Sequence, residues 1–366
     1  MRIGIVILNW NTKNYLKQFL PPLIQSAETF NALATENTAE IIVADSASTD
    51  GSINFVREVY PQIRTIPLDS NYGFTGGYNR AIGELISNPG AAGPYDLFVL
   101  LNSDIEVGRD WIGPLAEWMQ EHPDCGACGP KLHSWYEKDK FEYAGAAGGL
   151  IDRFGYPFCR GRVMKKLETD KGQYDEPREV LWITGACLMV RCETWKAMGG
   201  LDERFFAHME EIDLCWRMQL EGWKVSIVPR SVVWHLGGGT LPAESPEKLY
   251  LNFRNNLLLL EKNLGRTIGP RKAAVRIFIR KLLDGCSAFV YLLSGNIGYF
   301  KSVVRAHRDA KALLAEAERS RQERCPSLSC PNGPNKHNQV ANVRGIYGKC
   351  MIPRALTGIR IDTENL

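Results

Sequence analysis

Asp104 closes an apolar run in LLNSDIEV, with Asn102 two residues before it. A carboxylate leaving the carboxyl end of a buried strand is placed to hold a divalent cation. A cation bridging a diphosphate needs few protein oxygens, because phosphate and water fill its other positions. Asp104 is therefore the first candidate metal ligand, although Asn-Ser-Asp also makes an ordinary turn. Further along, FFAHMEEIDLCWR sets Glu210, Glu211 and Asp213 at a helix start. Helical periodicity puts Glu210 and Asp213 on one face and turns Glu211 about 100° away. The helix dipole stabilises acidic groups in a first turn, so a capping role is open to at least one of them, but three exceed what a cap needs. A carboxylate crowded by others has its pKa raised toward use as a general base, taking the proton of an attacking hydroxyl. His235 ends the run SVVWH ahead of three glycines. It could complete the metal site, though a lone histidine is often structural.

Two loops have the character of a nucleotide site. Asp45, in VADSASTDGS, stands at the end of an apolar run before small turn residues. It could meet a base or ribose, or the loop could simply cap the next helix. Asn71 to Gly77 (NYGFTGG) is glycine-rich and opens a helix, so its backbone could approach a diphosphate. It lacks the lysine of a P-loop. The Cys125-x-x-Cys128 pair has no second pair nearby, and Cys325, Cys330 and Cys350 have no histidine at ligand spacing, so all read as structural.

These side chains need a frame. Strands are expected at Ile3–Leu8, Glu40–Ala44, Ile63–Pro67 and Tyr95–Leu101, alternating with helices at Tyr15–Thr29, Ser52–Tyr60 and Gly76–Ser87. That alternation implies a doubly wound α/β sheet, with ligands gathered at the carboxyl ends of its strands. Beyond Asp104 the expected elements are a helix at Trp111–Glu121, a strand at Glu179–Arg191 and a helix at Asp213–Gly222. Residues 1–104 then form a nucleotide-binding half and 105–245 an acceptor half, followed by a helical extension (246–324) and a loop-rich tail (325–366). The apolar stretch Leu282–Phe300 is broken by Asp284, Ser287, Ser294 and Asn296, too polar for a membrane span. Arg271, Lys272, Arg276, Arg280 and Lys281 precede it, and Lys301, Arg305, Arg308 and Lys311 follow. An amphipathic helix in an anionic membrane surface fits this pattern, as does a helix pair packed on the catalytic domain.

The net charge of +3 does not imply a nucleic-acid partner, and none is expected. MRIGIVILNW reads as a buried strand rather than a signal peptide, and the ten cysteines lack the spacing of a secreted scaffold. The expected location is cytoplasmic, with peripheral attachment to the inner face of the membrane left open.

Taken in order, VILNWN, VADSASTDGS, NYGFTGGYN, LLNSD, TGAC at 184–187, FFAHMEEIDLCWR and WHLGGGT resemble glycosyltransferase family 2, and especially its rhamnosyltransferase-like bacterial members. The resemblance implies a GT-A fold, with a Rossmann-like mixed sheet, and an inverting transfer by single displacement. It implies that Asp45 meets the nucleobase, that the backbone near Asn9 and Trp10 lines the nucleotide, and that Asn71 to Gly73 shape the donor pocket. Asp104 becomes the last member of the family's Asp-x-Asp, binding manganese or magnesium with the diphosphate, and His235 a further ligand. Asn102 stands where the first Asp of that motif belongs. Glu211 falls at the base position, with Asp213 and then Glu210 as alternatives. The implied donor is a dTDP- or UDP-sugar, rhamnose foremost, and the acceptor a saccharide or polyprenyl-linked molecule. Two other classes compete. A metal-dependent sugar nucleotidyltransferase would need a basic glycine-rich loop, and Ile7 to Lys13 offers only Lys13. A noncatalytic membrane-docked scaffold has only the C-terminal basic helices in its favour.

Overall fold

The computed structural model describes residues 1–33, 36–164, 166–237, 245–321 and 342–351. Strand and helix alternate through β1 (Arg2–Asn9), α1 (Lys13–Leu33), β2 (Thr38–Ser46), α2 (Ser52–Val59), β3 (Arg64–Leu68), α3 (Gly73–Ser87) and β4 (Leu97–Asn102). Next come β5 (Ile105–Val107), α4 (Ile112–Glu121), β6 (Cys125–Ser134) and four short strands: β7 (Gly149–Asp152), β8 (Pro157–Cys159), β9 (Arg162–Val163) and β10 (Lys166–Leu167). The second half continues with β11 (Arg178–Glu179), β12 (Cys187–Arg191), α5 (Cys192–Met198), α6 (Glu210–Leu220) and β13 (Lys224–His235). Three long helices, α7 (Pro246–Ile268), α8 (Pro270–Leu293) and α9 (Ile297–Arg321), precede β14 (Ile346–Tyr347).

The main sheet runs β11-β13-β6-β12-β4-β1-β2-β3, with β5 beside β13. Strands β3, β2, β1 and β4 are parallel, β12 is antiparallel to both of its neighbours, and β6 and β13 are parallel to each other. Period-two side-chain direction splits each strand between two apolar layers. Ile3, Ile5 and Ile7 of β1, with Leu97, Val99 and Leu101 of β4, join α1 and α4. Val6, Phe98 and Leu100 face the layer of α3, α5, α6 and α7. A smaller sheet, β10-β9-β8-β7-β14, packs alongside.

Several boundaries differ from the sequence expectation. The strand expected at Glu179–Arg191 is two, β11 and β12, because Leu181 and Trp182 turn to exchange backbone hydrogen bonds with Gly149 of the smaller sheet. The apolar character that suggested one strand reflects burial of Val180–Ile183, at 0–4 % exposure, rather than ladder pairing. Helix α1 continues through Pro21 and Pro22 to Leu33, and α6 begins at Glu210, three residues before the expected start. The apolar stretch 282–300 belongs to two helices separated at 294–296. No helix among the described residues is long and apolar enough to cross a membrane. Cys125 and Cys128 lie within β6 as free buried thiols whose pKa values burial raises. Cys325, Cys330 and most of the tail 325–366 lie outside the described residues, while 342–351 contributes β14.

Helix α7 is buried almost all round. Leu258, Leu259, Leu260 and Leu264 share the apolar cluster of α3, α5 and α6, and Trp216 Nε1 donates to Thr267 Oγ1 at 2.9 Å. Burial of a leucine stabilises by about 1.5–3 kcal/mol, so these four side chains fasten α7 to the sheet domain.

Candidate active site

Parallel register brings the carboxyl ends of β1, β2 and β4 into line, with Asn9 opposite Asp45 and Leu8 opposite Asn102. Asn9 is fully buried. Its Nδ2 donates to Asp45 Oδ1 at 2.5 Å and to the Ser48 and Ser52 hydroxyls, and its Oδ1 accepts from Thr12. Asp45 also accepts the Ser48 backbone N–H at 3.0 Å. The Asn9 side chain is therefore a tie between two loops that holds the Asp45 carboxylate, while Trp10 beside it is 45 % exposed at the rim.

Asp104 lies in the turn between β4 and β5, and His235 ends β13 next to β5; the Leu236 N–H donates to the Asp104 carbonyl at 3.1 Å. Both side chains are buried, and His235 Nε2 stands 3.3 Å from Asp104 Oδ1. On the other side of the ring, Nδ1 lies 3.6 Å from Glu142 Oε2, in ion-pair rather than hydrogen-bond range. Burial alone would lower the His235 pKa, but the two flanking carboxylates raise it to about 10. The pocket thus attracts positive charge. Two ligands about 2.1 Å from one cation and at right angles stand about 3 Å apart. The Asp104–His235 pair has that bite, and among the described residues no third histidine, cysteine or carboxylate completes a metal group. Two protein ligands fit a cation whose remaining positions a diphosphate and water fill.

The acidic helix start divides three ways. Asp213 is fully buried, with its carboxylate spent on Lys262, Arg217 Nε at 2.7 Å and Asn263 Nδ2 at 3.0 Å. Burial raises its pKa, but Lys262 and Arg217 outweigh that and hold it below the usual range. As an alternative base Asp213 is thus poorly placed, bound in ion pairs to α7. Glu210 is buried and Glu211 half-buried, and Oε2 of each has no partner. Burial pushes Glu210 well up, with the Glu211 charge adding to the effect, and it pushes Glu211 to about 7.

The 184–187 loop joins these parts. The Asn102 N–H donates to the Ala186 carbonyl at 2.9 Å, and a Cβ on Gly185 would lie 3.7 Å from Glu211 Cβ. Asn102, two residues before Asp104, and Glu211 thus flank one loop. The amides at the start of α3 are not free for a diphosphate, contrary to the sequence reading. Phe74 N–H and Thr75 N–H donate to the Phe206 carbonyl at 3.1 and 3.3 Å, and Gly73 N–H donates to Asn71 Oδ1. Gly73 has φ +68°, and a Cβ there would sit 2.6 Å from the Phe206 ring, so only glycine fits. Motif reading missed Glu142, which stands in FEYAG without any recognisable spacing, and Arg254, Asn255 and Lys262 of α7.

A cavity of about 410 Å³ lined by Trp118, His122, Arg178 and Lys224 lies at the amino ends of β6 and β13, the opposite end of those strands from His235. Comparison with known proteins gives the family and the fold. The family model described as glycosyl transferase family 2 matches residues 5–193. The chain belongs to this family. It is 30 % identical over 240 residues to the N-acetylglucosaminyl-diphospho-decaprenol L-rhamnosyltransferase of Mycobacterium tuberculosis, covering 64 % of this chain and 75 % of that one. Among solved structures, residues 1–349 of Staphylococcus aureus TarS in complex with UDP-GlcNAc align with TM-score 0.52 and 13 % identity, over 84 % of this chain and 81 % of that one. GalNAc-T7 with UDP, GalNAc and Mn2+ aligns with TM-score 0.52 and 14 % identity, over 71 % of this chain and 48 % of that one. The fold is GT-A and the protein is a glycosyltransferase. Asp104 lies inside the matched family segment, while His235 and α6 follow it in the chain.

Proposed function

We propose that this glycosyltransferase moves a sugar, rhamnose foremost, from a dTDP- or UDP-linked donor to a hydroxyl of a polyprenyl-linked or saccharide acceptor in cell-surface glycan synthesis. Residues 1–104 form the donor half and 105–245 the acceptor half. The M. tuberculosis relative, named for a lipid-diphosphate acceptor and rhamnose, supports this choice. Asp104 and His235 would hold manganese or magnesium, a group that neutralises charge developing on the leaving diphosphate. Asn9 holds Asp45 in place for the nucleoside, and Asn102 offers an amide oxygen beside the metal ligand. Glu211 takes the proton of the attacking hydroxyl, and attack on the face opposite the leaving diphosphate inverts the anomeric carbon. Glu210, deeper and with its pKa pushed further up by burial and the Glu211 charge, is the weaker candidate.

The observation that carries this reading is Glu211 itself, half-buried, with a free oxygen and a pKa raised to about 7, against the loop that also holds Asn102. A base matched to neutral pH is what proton removal from a hydroxyl requires. The test is release of nucleoside diphosphate from a panel of nucleotide sugars with manganese, with magnesium or with a chelator. Metal-dependent release from one donor that collapses in both Asp104→Ala and Glu211→Gln is expected. Release untouched by both substitutions would overturn the site assignment.

The acceptor's lipid fits the C-terminal helices. Val275, Phe278, Leu282, Phe289 and Leu293, spaced three, four, seven and four residues apart, lie along the outward face of α8 and are 55–72 % exposed. Arg271 and Lys272 open that helix, and Lys301, Arg305, Arg308 and Lys311 are exposed on α9. An apolar stripe bordered by cations suits the boundary of an anionic membrane, where side chains enter the headgroup region and no helix need cross.

A further inference from the structure

The loop that leads into Glu211 is not a conformation L-residues choose unaided. Phe206, His208 and Met209 have φ of 63°, 68° and 73°, three non-glycine residues in the left-handed region within four positions. Such a backbone persists only where its surroundings over-determine it, and here the surroundings are α7. Asn255 is fully buried, and its Nδ2 donates to the carbonyls of Phe205 (2.9 Å), Ala207 (2.7 Å) and His208 (2.7 Å). Its Oδ1 accepts from Arg254 Nε at 2.8 Å, and Arg254 Nη2 donates to the carbonyls of Arg204 and Phe205 at 3.1 and 2.8 Å. Two turns on, Lys262 Nζ bridges Asp202 Oδ2 at 2.5 Å and Asp213 Oδ2 at 2.9 Å, and Asn263 reaches Asp213. One side of α7 therefore grips the loop in its middle and at both ends without touching the Glu211 carboxylate. The same loop offers its Phe206 carbonyl to the start of α3, so its position also sets that of the 71–77 segment.

We infer that α7 is the base-positioning element of the transferase, with Asn255 a positioning residue that, through the backbone of Phe205–His208, aims Glu211. The inference rests on the reading of Glu211 as the base. An amide nitrogen is the group this place requires, because it presents only donors to converging carbonyl oxygens. A carboxylate would turn lone pairs against them, and alanine would leave buried carbonyls without partners.

Asn255→Ala, Asn255→Asp and the milder Arg254→Ala test it, with Leu264→Ala as a control that loosens α7 packing without touching the loop. With the nucleotide sugar that the donor panel selects, the Asn255 variants should lose about 10²-fold in kcat, the usual cost of roughly 1 Å of misplacement. Donor KM should change less than kcat, because the loop reaches the donor side only through its Phe206 carbonyl and the 71–77 segment, while the carboxyl ends of β1, β2 and β4 are untouched. The rising limb of kcat against pH should move, and amides 203–210 should exchange faster with deuterium in the free protein. Leu264→Ala should lower Tm and leave both the limb and the loop exchange in place. Wild-type kcat, pH profile and loop exchange in the Asn255 and Arg254 variants, with Glu211→Gln inactive, would overturn the positioning role. An active Glu211→Gln would instead remove the base, and loop exchange would still decide whether α7 holds the segment.

Discussion

Moving the pH from 8 to 5 protonates Glu211, and the size of the resulting loss follows from where the side chain sits. Burial lifts its pKa from 4.5 to about 7, against three backbone hydrogen bonds that lower it. A base works in its ionised form, so about 1 % of the enzyme is competent at pH 5 and about 90 % at pH 8, a rise of about 90-fold in kcat at saturating metal and donor. The same carboxylate at its ordinary value would change kcat by only about 1.3-fold over that interval. Stopped assays of nucleoside diphosphate release across this range separate the two cases. Linkage supplies an independent reading. A carboxyl whose folded pKa is raised destabilises the fold as pH climbs through the raised value, so Glu211→Gln should abolish transfer and yet exceed the wild-type Tm by more at pH 8 than at pH 5. A profile flat between pH 5 and 8, or a limb near 7 that survives in Glu211→Gln, would refute the reasoning.

Other expectations follow from the same contacts. Asp104→Ala and His235→Ala should each weaken binding of manganese with dTDP or UDP by calorimetry at least tenfold, since either leaves the cation a single protein ligand; unchanged affinity places the cation elsewhere. Phe278→Glu with Leu282→Glu should abolish pelleting with phosphatidylglycerol vesicles at low salt while donor hydrolysis persists, and retained pelleting would remove α8 from the membrane. Lys262→Met removes the cation that Asp202 and Asp213 share, but Arg204 still pairs with Asp202 and Arg217 with Asp213, so the cost should be about 1.5–3 kcal/mol at pH 7, the usual worth of a hydrogen bond to a charged group. Because ion pairs depress both carboxyl pKa values, that deficit is present above about pH 4 and should shrink as pH falls through the depressed values. Urea titrations at pH 7 and pH 3 measure it.

Much of the frame was legible because it rests on local signals. The β1 and β2 runs are apolar and β-branched, and the strand–helix alternation before Asp104 implies parallel pairing, which fixes where Asn9, Asp45 and Asn102 emerge. What was not legible depends on partners distant in sequence. Glu142 reaches His235 from 93 positions away, and Val180–Ile183 is as apolar as a strand yet pairs with Gly149 of another sheet. One neglected signal was readable. Polar Arg254, Asn255 and Asn263 interrupt a leucine-rich helix in LNFRNNLLLLEKN, and an amide placed where leucine would pack is a sign that buried backbone needs donors.

The three carboxylates of FFAHMEEIDLCWR show why spacing alone could not rank them. Helix geometry puts Glu210 and Asp213 on one face, and both are in fact buried, yet their pKa values shift in opposite directions because cations reach only one of them. Lys262 and Arg217 hold the Asp213 pKa below the usual range, while Glu210 finds no cation and burial pushes its pKa well up. Glu211, turned from that face, is half-buried with its Oε2 unpartnered, and burial lifts its pKa to about 7. The charge that fixes Asp213 comes from α7, the helix whose Asn255 holds the strained backbone upstream. A chain ending at residue 245 would retain every family motif but lose both the cation on Asp213 and the donors on the Phe205–His208 carbonyls. Such a truncation should therefore fail in transfer even where it still binds nucleotide, and a truncated protein with full kcat would show that the sheet domain aims its base without help.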